Sequence, residues 1–255
     1  MDIRNEYGCL ESQKVFQPLL KDFDDFCLNN DIQYALDCGS LLGVIRHNGF
    51  IPWDDDMDFA ISRDEMIKLE KEITKSTKLK LVKDLWFYRV TYKDSCCPID
   101  CKEVPEVTFF IFDKSPENKF CQKLKTILLL ILQQTFKVFP NGKGIPFGVR
   151  VRIFFGWLLG APFTYNFKFR LFNWLCSSFG SEKFVSCYGY WPSQMMIRHS
   201  SDYMKKLKRI KFESIETYIP TNYEEQLIDM YGDYMTPPNV EDRITTHRSD
   251  QSWVQ

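Results

Sequence analysis

Asp54, Asp55, Asp56 and Asp58 crowd one short stretch, Trp53-Asp54-Asp55-Asp56-Met57-Asp58-Phe59, directly after Ile51-Pro52 and downstream of Gly39-Ser40-Leu41-Leu42-Gly43. Like charges this close repel one another unless a cation lies between them. Read as a strand, Asp54 to Phe59 alternates, with Asp54, Asp56 and Asp58 on one face and Met57 and Phe59 turned to the core. Hard oxygen donors clustered in this way suit Mg²⁺, which takes one or two carboxylates and otherwise keeps water or phosphate oxygens. The alternative is a solvated acidic turn, the common fate of a charge run. The apolar flanks and the preceding Gly-Ser weigh against it. The chemistry in view is metal-assisted handling of phosphate.

Several elements must position these carboxylates. Residues 9–30 place Val15, Leu19, Leu20, Phe23, Phe26 and Cys27 at helical spacing. Asp31 to Cys38 reads as a strand delivering Gly39-Ser40, where Gly39 allows a sharp turn and close approach to a phosphate. The amides that follow, opening a helix over Leu41–Arg46, would donate to anionic oxygens. Asp64 to Lys75 reads as the next helix, and 79–92 and 104–112 as strands. Towards the C-terminus a helix begins after Tyr218-Ile219-Pro220 with Asn222 as cap and runs through Met230. Gly232 is expected to end it in a left-handed conformation that presents Asp233.

The chain has 255 residues, a length one α/β domain with insertions fills. Its 22 Phe, 12 Tyr and 6 Trp make it rich in aromatics. A net charge of −1 excludes a global pull towards nucleic acid, and no nucleic-acid partner is expected. Nine cysteines are scattered, and an odd count argues against a complete disulfide framework. Cys96-Cys97-Pro98-Ile99-Asp100-Cys101, with Cys121 beyond, fits the spaced ligand pairs of a zinc site poorly and reads as ordinary thiols. The opening residues Met1 to Glu6 lack the basic start and apolar core of a secretory signal. The expectation is a cytoplasmic protein, associated if with any membrane with its inner face.

Between Lys119 and about Phe179 the character changes. Thr126 to Leu132 is apolar, too short to cross a bilayer. Arg150, Arg152, Lys168 and Arg170 then alternate with Phe154, Phe155, Trp157, Phe167, Phe169 and Trp174. Two readings stand: segments that lie in a membrane interface, and a helical subdomain that buries its aromatics in its own core.

The run Gly39 to Arg46, followed by His47-Asn48-Gly49-Phe50-Ile51-Pro52-Trp53-Asp54-Asp55-Asp56-Met57-Asp58, resembles the signature of the LicD family. So do Ile219-Pro220, Tyr223-Glu224, Leu227, Tyr231-Gly232-Asp233-Tyr234-Met235, Pro237-Pro238 and His247 near the C-terminus, and, more weakly, Phe112-Asp113-Lys114-Ser115-Pro116-Glu117-Asn118. Together these frame about residues 30–250.

The resemblance implies one catalytic domain over 1–255 with a helical, aromatic-rich insertion at 119–180. It implies an α/β (α+β) fold, a nucleotidyltransferase-like mixed sheet flanked by helices. The activity it implies is metal-dependent transfer of a phospho-alcohol from a nucleotide-diphosphate donor, CDP-choline or another CDP-alcohol, to a glycan or lipid-linked glycan. Asp56 and Asp58 would hold Mg²⁺ or Mn²⁺, and Asp54 or Asp55 would complete the metal shell or take the acceptor's proton. Arg46 would grip a phosphate, and Trp53 would stack on a ring or on the choline cation. Gly39, Ser40, Tyr231, Asp233 and His247 complete the substrate set.

The chain departs from the family at one point. Aligning on Asp113-Lys114-Ser115-Pro116 puts Thr108 where a third strand carboxylate belongs, leaving Glu106, two residues earlier on the same face, and Asp113 as candidate substitutes. Two other functions remain open: transfer of a nucleotidyl group by the same metal face, and a membrane-associated interaction protein whose catalytic face has decayed.

Overall fold

The computed structural model describes residues 6–84, 87–93, 105–137, 147–192 and 194–243. The Cys96-to-Cys101 run and His247 lie outside these residues. The chain divides into two compact units, one of residues up to Phe112 together with those from Asp202 on, the other Asp113–Ser201.

The first unit opens with α1 (Leu10–Asn29), close to the expected 9–30 helix. A two-residue β1 (Ala35–Leu36) follows, then α2 (Cys38–His47), β2 (Asp58–Ser62) and α3 (Arg63–Glu72), which Ser62 caps through its hydroxyl. The expected 79–92 strand is a hairpin, β3 (Leu79–Asp84) and β4 (Phe87–Tyr92), and β5 (Glu106–Ser115) begins close to its expected start. These strands pair in the order β1-β2-β5-β4-β3. β2 and β5 run parallel with Asp58 opposite Thr108, while β1–β2, β5–β4 and β4–β3 are antiparallel. A second hairpin, β8 (Leu207–Phe212) and β9 (Ile215–Pro220), leads to α7 (Tyr223–Tyr231). The fold is the mixed, helix-flanked sheet the sequence led us to expect.

One face of the sheet is fixed by rings. Phe23 of α1 stacks on Phe59 with centroids 5.6 Å apart and meets Phe109 edge-on at 5.3 Å, and Tyr34 lies 4.9 Å from Phe59. All four are fully buried. Because successive strand side chains alternate, burying Phe59 and Phe109 turns their neighbours Asp58 and Thr108 to the opposite face.

A buried charge ties this core to the second hairpin. Asp24, 4% exposed, receives both arms of the Arg209 guanidinium at 2.7 and 2.8 Å and the Tyr34 hydroxyl at 2.7 Å. Arg209 also lies over the Tyr218 ring at 4.5 Å. Burial first, then Asp24, pushes the Tyr34 hydroxyl well above its ordinary pKa.

The second unit holds α4 (Lys119–Gln134), α5 (Phe147–Gly160) and α6 (Tyr165–Ser177). Strand β6 (Phe184–Cys187) pairs with β5 and with β7 (His199–Ser200). Asn118 caps α4 and Thr164 caps α6, each through its side chain.

Removing Asp24 takes from the half-buried Arg209 guanidinium its bidentate partner and from the buried Tyr34 hydroxyl one of its two partners. Asp24→Ala should therefore cost about 3 kcal/mol of unfolding free energy, read by urea denaturation. A loss under ~0.5 kcal/mol, typical of a surface substitution, would contradict the assignment.

Candidate active site

The site is built where β1 leaves the sheet and β2 enters it. The Asp58 amide donates to the Ser40 hydroxyl at 3.0 Å, and the Asp58 carbonyl accepts from the Asp37 amide at 2.9 Å. Asp37 caps α2, its carboxylate accepting from the Cys38 amide at 2.9 Å and from the Gln226 carboxamide. The sharp turn into α2 is carried by Cys38, at φ 44°, a left-handed conformation that non-glycine residues seldom adopt outside functional sites. This corrects the expectation that Gly39 makes the turn. Gly39 serves a different end: a Cβ there would lie 2.5 Å from Asp54 Oδ2, so the missing side chain is the seat of the Asp54 carboxylate.

The strand expected from Asp54 to Phe59 begins only at Asp58. Residues 54–57 form an irregular segment after a turn at Pro52-Trp53, closed by the Asp54 amide donating to the Ile51 carbonyl at 3.0 Å. Met57 and Phe59 are buried as the alternation implied. The segment is braced from both sides. Gln13 of α1, fully buried, donates to the carbonyls of Ile51 at 2.9 Å and Asp54 at 2.7 Å. From the second hairpin, Glu213 packs on Gly49 and Phe212 meets Phe50 at 4.8 Å. The Gly49 carbonyl presses on Gly43, where a Cβ would lie 2.5 Å from it.

The carboxylates converge electrostatically. Burial first, and then Asp56, Asp37 and Asp54 in that order, push the Asp58 carboxyl well above the ordinary carboxylate range. Asp54, Asp55 and Asp56 are half-buried. Among the described residues, no three His, Cys, Asp or Glu side chains already stand together as a metal-holding group.

Opposite charge gathers beside them. Arg46 donates to the Tyr234 carbonyl at 2.9 Å and to His47 Nε2 at 3.0 Å. Desolvation lowers its pKa, and Arg243 lowers it further while Tyr231 opposes. The His47 pKa falls for the same first reason, helped by Arg46 and Arg243. The Arg243 guanidinium lies 4.9 Å over the Trp53 ring, which His47 and Tyr7 meet edge-on at 5.8 and 5.7 Å. Tyr231 interacts with both groups: desolvation, then Cys38, Asp37, Asp58 and Asp54, raise its hydroxyl pKa, and it acts in turn on Arg46. Gly232 ends α7 at φ 65°, left-handed in φ as expected though its ψ of −114° falls outside the αL basin. Exposed Asp233 beyond it accepts from the Thr236 hydroxyl at 2.7 Å.

The third-carboxylate question has a clear geometry. Thr108 sits directly beside Asp58, with Arg89 on its other side in β4. The Glu106 carboxylate is engaged by Arg89 at 2.6 Å, a diagonal cross-strand pair. Asp113 is buried and belongs to the second unit.

The sequence left Asp37, Gln13, Gln226 and Arg243 out of the site. Asp37 carried a legible signal, an Asp in the capping position just before Gly39-Ser40, obscured by reading the preceding stretch as strand through Cys38. The other three arrive from elements remote in sequence, and nothing local marks them.

Residues 31–146 match the family described as "LicD/FKTN/FKRP, nucleotidyltransferase domain". The chain is similar, at 27% identity over 93% of its length and 95% of the other's, to a protein of Haemophilus influenzae named lipopolysaccharide cholinephosphotransferase LicD. It is also similar to uncharacterised proteins of Rickettsia prowazekii, at 32% identity over 40% of each chain, and of Rickettsia typhi, at 30% over 40% of this chain and 34% of the other.

The two glycines should respond differently to alanine. At Gly39 the clash is with the end of a side chain that can swing away, and alanine favours the helix, so Gly39→Ala should be near neutral in stability. At Gly43 the clash is with backbone, and Gly43→Ala should cost about 1–3 kcal/mol. Equal losses in urea unfolding would contradict this division.

Proposed function

We propose, proceeding from the LicD-family nucleotidyltransferase domain of residues 31–146, that this LicD-type transferase moves a phospho-alcohol onto a sugar hydroxyl of a cell-surface or lipid-linked glycan, with phosphocholine from CDP-choline as the leading donor group. The observation that carries the reading is a site with two poles. Three carboxylates, those of Asp56, Asp37 and Asp54, converge on Asp58, and Arg46, His47 and Arg243 gather within electrostatic reach of one another, with Tyr231 interacting with both groups. A cation and a diphosphate are the complementary cargo. Similarity along nearly the whole chain to a protein named for cholinephosphate transfer to lipopolysaccharide supports the choice of cargo and acceptor class.

The donor set fits a hard divalent cation. It is all oxygen, and its mutual repulsion, felt most at Asp58, is what a cation relieves. Asp58 and Asp56 would hold Mg²⁺ or Mn²⁺, with water or donor oxygens completing the shell, since among the described residues no group of three such side chains stands ready to hold a metal. Bound there, the ion supplies neutralisation of charge on the donor phosphates. The chain's own groups do the rest. Arg46 exchanges its carbonyl partner for a phosphate through its planar fork. The acceptor hydroxyl oxygen attacks the phosphorus that bears the alcohol, and the P–O bond to CMP breaks. CMP departs with the bonding pair, and the hydroxyl proton passes to Asp54 or Asp55. Arg243 occupies the Trp53 face as a cation, so a choline headgroup that stacks there replaces the guanidinium, which is then free for phosphate.

The test is product analysis with Mg²⁺, a panel of CDP-alcohols and a glycan acceptor. CMP should appear, and Asp58→Asn or Asp56→Asn should reduce its release on the order of 10²–10³-fold while the protein stays folded. Pyrophosphate released from CTP would establish nucleotidyl transfer instead, and metal-independent turnover would remove the assignment altogether. Thr108→Asp places a carboxylate directly beside Asp58, and should tighten Mg²⁺ binding to the donor-free protein roughly tenfold by calorimetry. Unchanged affinity would show that the Thr108 position does not face the metal.

A further inference from the structure

We infer that the outer surface of α4, α5 and α6 is a docking face for the interfacial region of an anionic lipid bilayer. All three helices belong to the second unit, and none of them carries a residue of the carboxylate site.

Helix α4 is turned inside out. Phe120, Leu124, Ile127, Leu128 and Ile131 form a stripe at helical spacing, and all are exposed, Phe120 by 73%. The opposite, buried face is mostly polar, carrying Gln122, Lys125, Thr126 and Gln133 around a single leucine, Leu129. Three of these polar residues, Gln122, Lys125 and Gln133, donate to main-chain carbonyls within the unit, while the Thr126 hydroxyl finds no hydrogen-bond partner among the described residues. Lys125 Nζ donates to the carbonyls of Lys114, Cys176 and Ser178 at 3.2, 2.6 and 2.8 Å and lies 4.4 Å over the Tyr188 ring. Gln122 donates to the Met196 carbonyl at 2.8 Å. A helix facing water puts such residues outside and its leucines inside. The reverse arrangement is stable where the outer medium is itself apolar.

Helix α5 packs in the manner of helices that have no hydrophobic drive to associate. It backs onto the end of α4 through Gly156 and Gly160, spaced four apart, where added Cβ atoms would lie 2.5 Å from the Gln134 carbonyl oxygen and 2.4 Å from that of Thr135. Small residues at this spacing let backbones approach closely, a device common between helices in lipid. Its large residues point away: Phe154, Phe155, Trp157, Leu158 and Leu159 are exposed. On α6, Phe167, Leu171 and Trp174 are exposed as well. Exposed apolar surface on this scale marks a binding face.

Charge identifies the occupant. Residues 119–181 contain nine Lys or Arg and no Asp or Glu, in a chain whose net charge is −1. Lys119, Lys123, Arg150, Arg152 and Arg170 are exposed around the apolar stripes. A second copy of the chain would bring this cationic fringe against itself, whereas anionic headgroups complement it, each basic residue near such a surface adding about 1 kcal/mol. Among the described residues no helix is long and apolar enough to cross a membrane. With 16 residues α4 spans about 24 Å, short of the ~30 Å hydrocarbon core, so the helices lie in the interface.

The experiment is flotation of the full chain with phosphatidylcholine vesicles, with and without phosphatidylglycerol, followed also by tryptophan emission. Binding with a blue shift is expected on the anionic vesicles at low salt, weakened several-fold as salt rises. The paired exposed substitutions Phe155→Glu and Leu158→Glu should abolish binding with the far-UV spectrum unchanged. Arg150→Gln with Arg152→Gln should weaken binding to anionic vesicles only. A chain that stays unbound with anionic vesicles at low salt overturns the proposal. So does unchanged binding by the Phe155/Leu158 variant, or a dimer that this variant dissociates.

Discussion

Repulsion among carboxylates is the constraint around which the first unit is organised. Asp58, with Asp56, Asp37 and Asp54 close enough to raise its pKa, would spread apart if the backbone let it. The backbone does not. Asp58 is pinned by Ser40 and by the Asp37 amide, Asp54 sits where Gly39 has no side chain, and Gln13 grips the loop between them. The first turn of α2 supplies Ser40, Asp37 and Gly39 and α1 supplies Gln13, while the aromatic core holds β2 and β5 in register. The stability of that core is what allows four like charges to be held close together.

The cationic side follows the same logic. Arg46 and His47 lie at the end of α2, the helix whose first turn holds Asp37, Gly39 and Ser40, so one short helix carries residues of both poles. Desolvation that lowers the Arg46 and His47 pKa values also strengthens any charge-assisted hydrogen bond a phosphate makes there. The two units obey opposite rules of placement. In the first, the rings of Phe23, Phe59 and Phe109 are buried; in α4, a lysine is buried and an apolar stripe is exposed.

Much of this could be read in advance where the signal is local. The α1 helix, the start of β5, the end of α7 at Gly232 and the acidic cluster all follow from spacing and residue type. The misreadings have physical causes. Asp54 to Met57 alternates like a strand, but the Pro52-Trp53 turn and the Asp54–Ile51 hydrogen bond commit its backbone elsewhere, so Asp54 reaches the cluster from a loop. Cys38 takes the positive φ assigned to Gly39, because the glycine is needed for its missing side chain. Arg243 over Trp53 and Asp37 held by Gln226 depend on contacts between distant segments, which no local pattern encodes. Which side of α4 faces outward depends likewise on Lys125 finding carbonyls at Cys176 and Ser178.

The central claim is that the carboxylates around Asp58 are held against their own repulsion for a cation to relieve. With its folded pKa raised, Asp58 favours the folded state at low pH and loses that contribution as pH rises through the raised pKa. Thermal unfolding of the wild type and Asp58→Asn, with and without Mg²⁺, tests this most directly. The account predicts that the metal-free variant melts above the metal-free wild type at neutral pH, that the gap closes on acidification, and that Mg²⁺ stabilises the wild type more than the variant. A variant that melts lower at neutral pH and responds to Mg²⁺ as the wild type does would contradict it.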